Sequence, residues 1–108
     1  MSRAALSSAT VVIRNRGFSE AAVDQEIVAF SVEKGACYGF NPVGSRIWQL
    51  LANPISVAEI CKTLVGEYEV DPETCEREVL KLLEELRAEG MVASPPEASP
   101  EIVNKRRP

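Results

Sequence analysis

The chain has 108 residues, enough for one small domain with a single core. Hydrophobic residues make up 45% and charged residues 26%, a composition that folds, and the net charge of −4 offers no bulk attraction to nucleic acid or to an anionic membrane. There is no histidine, which excludes Ser-His-Asp and Cys-His catalytic arrangements and every histidine-ligated metal site.

The three cysteines, Cys37, Cys61 and Cys75, form no Cys-x-x-Cys pair. They read as reduced thiols of a cytoplasmic protein, with no metal and no cofactor expected. The stretch Ala4 to Ile13 is interrupted by Ser7, Ser8 and Thr10, so it makes a poor secretory signal, and no apolar run is long enough for a membrane helix.

In chain order, Thr10-Val11-Val12-Ile13-Arg14 is short and β-branched and reads as a strand. Ile27 to Val32 alternates, with Val28, Phe30 and Val32 on one face and Ile27, Ala29 and Ser31 on the other. Glu33-Lys34-Gly35 breaks the run, with Gly35 suited to positive φ, and Ala36-Cys37-Tyr38-Gly39-Phe40 returns as the second arm of a hairpin. The first strand is expected to flank that hairpin.

Three helices follow. Asn41-Pro42 is an N-cap with proline at the first helical position, and Ile47, Trp48, Leu50 and Leu51 supply the apolar face before Asn53-Pro54. Ser56 and Glu59 form a capping box for a helix carrying Val57, Ile60, Cys61, Leu64 and Val65. Asp71-Pro72 repeats the first device, for a helix with Cys75, Val79, Leu82, Leu83 and Leu86 at core spacing that ends at Gly90. Met91-Val92-Ala93 forms a short final strand or docks without one. These elements make residues 1–93 one α+β domain, winged helix-turn-helix-like, with an N-terminal three-stranded antiparallel sheet before three helices. Residues 94–108 are Pro-rich, end in Lys105-Arg106-Arg107, and are expected to be a disordered tail.

A winged-helix outline raises the reading of a DNA-binding regulator, and charge tests it. From Glu73 to Glu89 six acidic residues stand against three basic ones. Phosphates would be repelled by such a helix. The hairpin offers another site. If Ala36–Phe40 lies at a sheet edge, its free N–H and C=O groups can take an extended peptide as an added strand, and Gly39 lets a partner backbone approach. Tyr38 and Phe40 share one strand face and serve as core or as binding residues. On the third helix Leu80 stands at a margin of the core stripe with Glu76 and Arg87 on its side, a candidate groove wall, unless Leu80 packs under the N-terminal segment or the tail.

The run Tyr38-Gly39-Phe40-Asn41-Pro42-Val43-Gly44-Ser45-Arg46-Ile47-Trp48-Gln49-Leu50-Leu51 resembles the PqqD-like family. So, in order and spacing, do Ser56-Val57-Ala58-Glu59-Ile60, Tyr68-Glu69-Val70-Asp71-Pro72-Glu73, Leu82-Leu83-Glu84-Glu85-Leu86 and Gly90-Met91-Val92. The resemblance implies a non-catalytic recognition element for ribosomally made, post-translationally modified peptides. Such an element grips the leader region of a precursor peptide by strand addition and presents it to a maturation enzyme. It implies as peptide-binding residues Ala36, Cys37, Tyr38, Gly39 and Phe40 on the strand and Glu76, Leu80, Leu83, Glu84 and Arg87 on the third helix, the helix choice being taken from the wheel. The stretch before Gly44 is similar to free-standing lasso-peptide members, whose partner is a leader peptidase. Other members serve radical-SAM maturases as peptide chaperones.

Overall fold

The computed structural model describes residues 6–94. Its elements are β1 (Val11–Arg14), β2 (Ser19–Val23), β3 (Glu26–Ser31), β4 (Ala36–Gly39), α1 (Pro42–Leu50), β5 (Ile55–Ser56), α2 (Val57–Glu67), α3 (Pro72–Ala88) and β6 (Val92–Ala93). All but Ser94 of the expected tail lies outside the described residues.

The architecture is α+β with two small antiparallel sheets among the described residues, ordered β2-β3-β4 and β5-β1-β6. The hairpin β3–β4 forms as expected, with Ala29 opposite Tyr38 and Gly35 at a φ of 65° in its turn. Its flanking strand is not β1 but β2, which pairs along its whole length with β3 through a turn in which Asp24 takes a φ of 59°. β1 is instead the middle strand of the second sheet, where Val11 faces Ser56 and Arg14 faces Val92. Its Val12 is fully buried, and the strand ties the start of α2 to the segment that follows α3.

The three expected N-caps form. Asn41 Oδ1 accepts the Gly44 N–H at 2.7 Å, Ser56 Oγ the Glu59 N–H at 3.1 Å, and Asp71 Oδ2 the Thr74 N–H at 3.0 Å. Gly90, at a φ of 77°, closes α3 with Gly90 N–H on the Arg87 carbonyl and Met91 N–H on the Leu86 carbonyl. Gly44 is needed for close approach, because a Cβ there would meet Phe40 and Asn41 side-chain atoms at 3.2 Å.

One core joins the layers. Trp48 of α1 and Leu51 at its C-cap, Ile60 and Leu64 of α2, and Leu83 and Leu86 of α3 are its largest enclosed side chains together with Met91. Ile27, Ala29 and Ser31 of β3 face it, while Val28 and Val32 face solvent. Phe40 stacks on Trp48 with centroids 5.4 Å apart, seating the end of β4 against α1.

Candidate functional site: an open strand beside a groove

β4 pairs with β3 alone among the described residues, so its other edge is open. Phe40 N–H donates to the Ile27 carbonyl at 2.8 Å. In an antiparallel ladder inward and outward residues alternate, so Ala36, Tyr38 and Phe40 bond toward β3. Cys37 and Gly39 then direct their N–H and C=O groups outward. The last rung is completed by Ser45 of α1, whose buried Oγ accepts the Ile27 N–H at 2.8 Å and donates to the Phe40 carbonyl at 3.4 Å. That bond fixes the strand's position relative to α1.

α3 runs beside β4, and a groove of about 450 Å³ lies between them. Phe40, Ile47, Val79 and Leu82 give it an apolar floor. Tyr68 and Val70, from the connection between α2 and α3, stand at its side, and Glu78, Lys81 and Glu85 form a charged rim. The Tyr38 hydroxyl donates to Glu85 Oε1 at 2.9 Å, and the Tyr38 ring leans on Phe40 with centroids 4.8 Å apart. Partial burial, then the Glu85 carboxylate, raise the Tyr38 phenol above its ordinary value.

Of the residues singled out on the strand, Tyr38, Gly39 and Phe40 line the groove, and Ala36 and Cys37 continue the same open edge. Those singled out on α3 do not line it. Leu83 is wholly enclosed in the core. Glu84 accepts the Leu6 N–H at 3.3 Å and pairs with Arg87 at 3.0 Å, and Glu76 acts on the Cys61 thiol of α2. Leu80 lies on that same side, half-buried against the core. The groove uses the opposite margin of the apolar stripe, Leu82, with Glu78, Lys81 and Glu85. Helical spacing marked the Leu80 margin and placed Leu82 within the core stripe; the two-residue step from Leu80 to Leu82 turns the helix by about 200°.

No group of three potential metal-ligating side chains occurs among the described residues. No helix among them is long and apolar enough to cross a membrane. The cysteines are free. Burial, then the neighbouring Cys75, push the Cys61 thiol up to about 11, the reverse of what activates a nucleophile. What the site offers is a row of outward main-chain groups beside an apolar trough, the equipment for holding an extended peptide.

Residues 26–92, from the start of β3 into β6, match the family model of coenzyme PQQ synthesis protein D (PqqD). The chain belongs to the PqqD family. This PqqD-family domain is similar to TbiB1, solved in complex with the TbiA(beta) leader peptide, at 30% identity and a TM-score of 0.70 over 77% of this chain and 96% of that one. It is similar to a lasso peptide synthetase B1 complexed with the leader peptide, at 27% identity and a TM-score of 0.66 over 76% and 96% of the two chains. It shares its fold with the PqqD truncation of Methylobacterium extorquens PqqCD, a recognition element for ribosomally synthesized and post-translationally modified peptides, at 20% identity and a TM-score of 0.69 over 82% and 95%. No curated protein sequence matches the chain at a comparable significance.

Proposed function

We propose that this domain captures the leader region of a ribosomally made precursor peptide as a fourth strand beside β4 and presents it to a separate maturation enzyme. The observation that carries the proposal is the open edge at Cys37 and Gly39 lying along the groove against α3. The leader-bound states of the relatives at 30% and 27% identity support it. The peptide-binding residues are then Ala36 to Phe40 with Val79, Leu82 and the rim residues Glu78, Lys81 and Glu85. Main-chain bonds give affinity, and the apolar floor selects register, since a slip of one residue turns every leader side chain to the wrong face.

The domain works without chemistry of its own: it has no histidine, and burial beside Cys75 holds the Cys61 thiol of α2 protonated. Its contribution is effective concentration, bringing the leader–core junction to the enzyme. A leader peptidase of lasso-peptide maturation is the partner favoured, on the likeness to lasso peptide synthetase B1. A radical-SAM maturase is the alternative, on the family's PqqD members.

The test is titration of the isotopically labelled chain with a synthetic peptide spanning a candidate precursor's leader. The Cys37 and Gly39 amides are expected to shift most. Gly39→Pro removes one outward N–H and leaves the bond between Phe40 and Ile27 intact, so it is expected to weaken binding about tenfold with the fold preserved. Shifts that cluster elsewhere and full binding by Gly39→Pro would refute strand addition at β4.

A further inference from the structure

The sheet β2-β3-β4 has a second edge, β2, and every residue of β2 is exposed. β3 bonds toward β4 through residues 27, 29 and 31, so it bonds toward β2 through Glu26, Val28 and Phe30. Their partners Val23, Ala21 and Ser19 therefore direct their main-chain groups to β3, and Glu20 and Ala22 direct theirs outward.

Monomeric folds guard such an edge with lysine, proline, a bulge or an inward-pointing charge that pairing would have to bury unpaired. β2 carries no lysine or proline and pairs with β3 without interruption. Its one charged side chain, Glu20, points inward but is already paired there by Arg14 at 2.9 Å and by the Trp48 indole N–H at 2.8 Å, so a strand added at this edge leaves no carboxylate without a partner.

We infer that β2 is the contact strand of a homodimer, two copies pairing antiparallel about Ala21 into one six-stranded sheet. Three observations specify a second copy. With the two-fold at Ala21, Glu20 of each copy lies opposite Ala22 of the other. These are the residues whose N–H and C=O groups face outward, so the ladder closes in register. Arg16 precedes the strand and Asp24 follows it, and neither has an ion-pair partner among the described residues. Antiparallel pairing lays the Arg16 end of each copy along the Asp24 end of the other. Finally, the outer face of the sheet is apolar, with Val23 at 70%, Val28 at 38% and Val32 at 90% exposure, and the two-fold makes that face continuous across both copies. The β4 edges remain free at the two far ends, so the dimer and leader capture are independent of each other.

The experiment is sedimentation equilibrium of the full chain with no peptide present. The mass is expected to rise from one chain toward two over about 10 μM to 1 mM, the range suited to a small edge interface. Ala21→Lys and Ala21→Glu each set two like charges across the two-fold, and each is expected to weaken association about fivefold or more while circular dichroism stays native. An equimolar mixture of the two variants is expected to pair again. Ala22→Pro, which removes an outward N–H, is the second probe. A single-chain mass throughout overturns the proposal. A dimer indifferent to these changes, or a mixture that stays monomeric, overturns it as well.

Discussion

The Tyr38 hydroxyl donates to Glu85 Oε1 at 2.9 Å, tying the open strand to the helix that faces it across the groove. Partial burial of the phenol and the adjacent carboxylate raise its pKa above the ordinary 10.0. The folded state thus holds this proton more tightly than the unfolded chain does. The resulting stability is complete below the unfolded value and is lost as pH rises through the folded one. Tyr38→Phe keeps the ring against Phe40 and has no proton to lose. Thermal melts from about pH 8 to about pH 11 are expected to fall less steeply for Tyr38→Phe than for the wild type. Superimposable profiles would mean the contact is not maintained in solution.

Leu82 and Leu80 separate the groove face of α3 from its other margin. Both are half-buried, so Asp at either position costs stability of similar size, and melting curves check that both variants fold. Only Leu82 lines the groove. Leu82→Asp removes apolar surface from the floor and adds a charge, and it is expected to weaken leader binding by about 1.5 kcal/mol or more, roughly tenfold. Leu80→Asp is expected to bind within about twofold of the wild type, a difference of under 0.5 kcal/mol. Fluorescence anisotropy with a labelled leader reads both. Equal losses would place the peptide over the top of α3 and not in the groove.

The contrast between those two leucines also shows where the sequence stops being informative. Caps are local chemistry: Asn41, Ser56 and Asp71 each bond a main-chain N–H three residues on, so the helix starts are written in short stretches of sequence. The face of β3 that is buried follows from alternation in the same local way. β2 does not, because Ser-Glu-Ala-Ala-Val is exposed throughout and has no apolar face to alternate. The place of β1 is non-local too, since its partners are the two-residue strands β5 and β6, too short to carry a strand pattern of their own. The open edge at β4 was legible as a possibility in Gly39 and its aromatic neighbours. The helix face opposite it was not, because Glu85 and Tyr38 are brought together by packing across 47 residues of chain.

Acid is expected to loosen the helix starts and ties. The Thr74 backbone N–H holds the Asp71 carboxyl below its ordinary 3.8. The Arg46 guanidinium, bonded at 2.8 Å, holds Glu67 below 4.5 and links α1 to α2. For a depressed carboxylate the stability is present above the unfolded value and is lost as pH falls through the folded one. Asp71→Asn keeps an oxygen for the cap but removes the titration. Its melting temperature is expected to decline less than that of the wild type on going from about pH 5 to about pH 2.5. An unchanged acid limb would show that the Asp71 cap is open in solution.

Ser45 sets the register of the strand against α1, and its removal tests how much that junction holds. Its side chain is buried, accepting the Ile27 N–H at 2.8 Å and donating to the Phe40 carbonyl at 3.4 Å. Ser45→Ala leaves that N–H with no partner in a site closed to water, which costs about 1–3 kcal/mol. Thr63 makes a bond of similar length, 2.9 Å, to the Glu59 carbonyl, but on an exposed helix surface where water can replace it. Thr63→Ala is therefore expected to shift the urea midpoint by less than Ser45→Ala, by about 0.5 kcal/mol or less in stability. Hydrogen exchange gives the finer reading. In Ser45→Ala the amides of Ile27 and Phe40 are expected to lose protection ahead of the core helices, because the end of the β3–β4 ladder rests on that hydroxyl. If those amides stay protected while global stability drops, the hydroxyl serves the core and not the strand, and the junction of β4 with α1 rests on the stacking of Phe40 on Trp48.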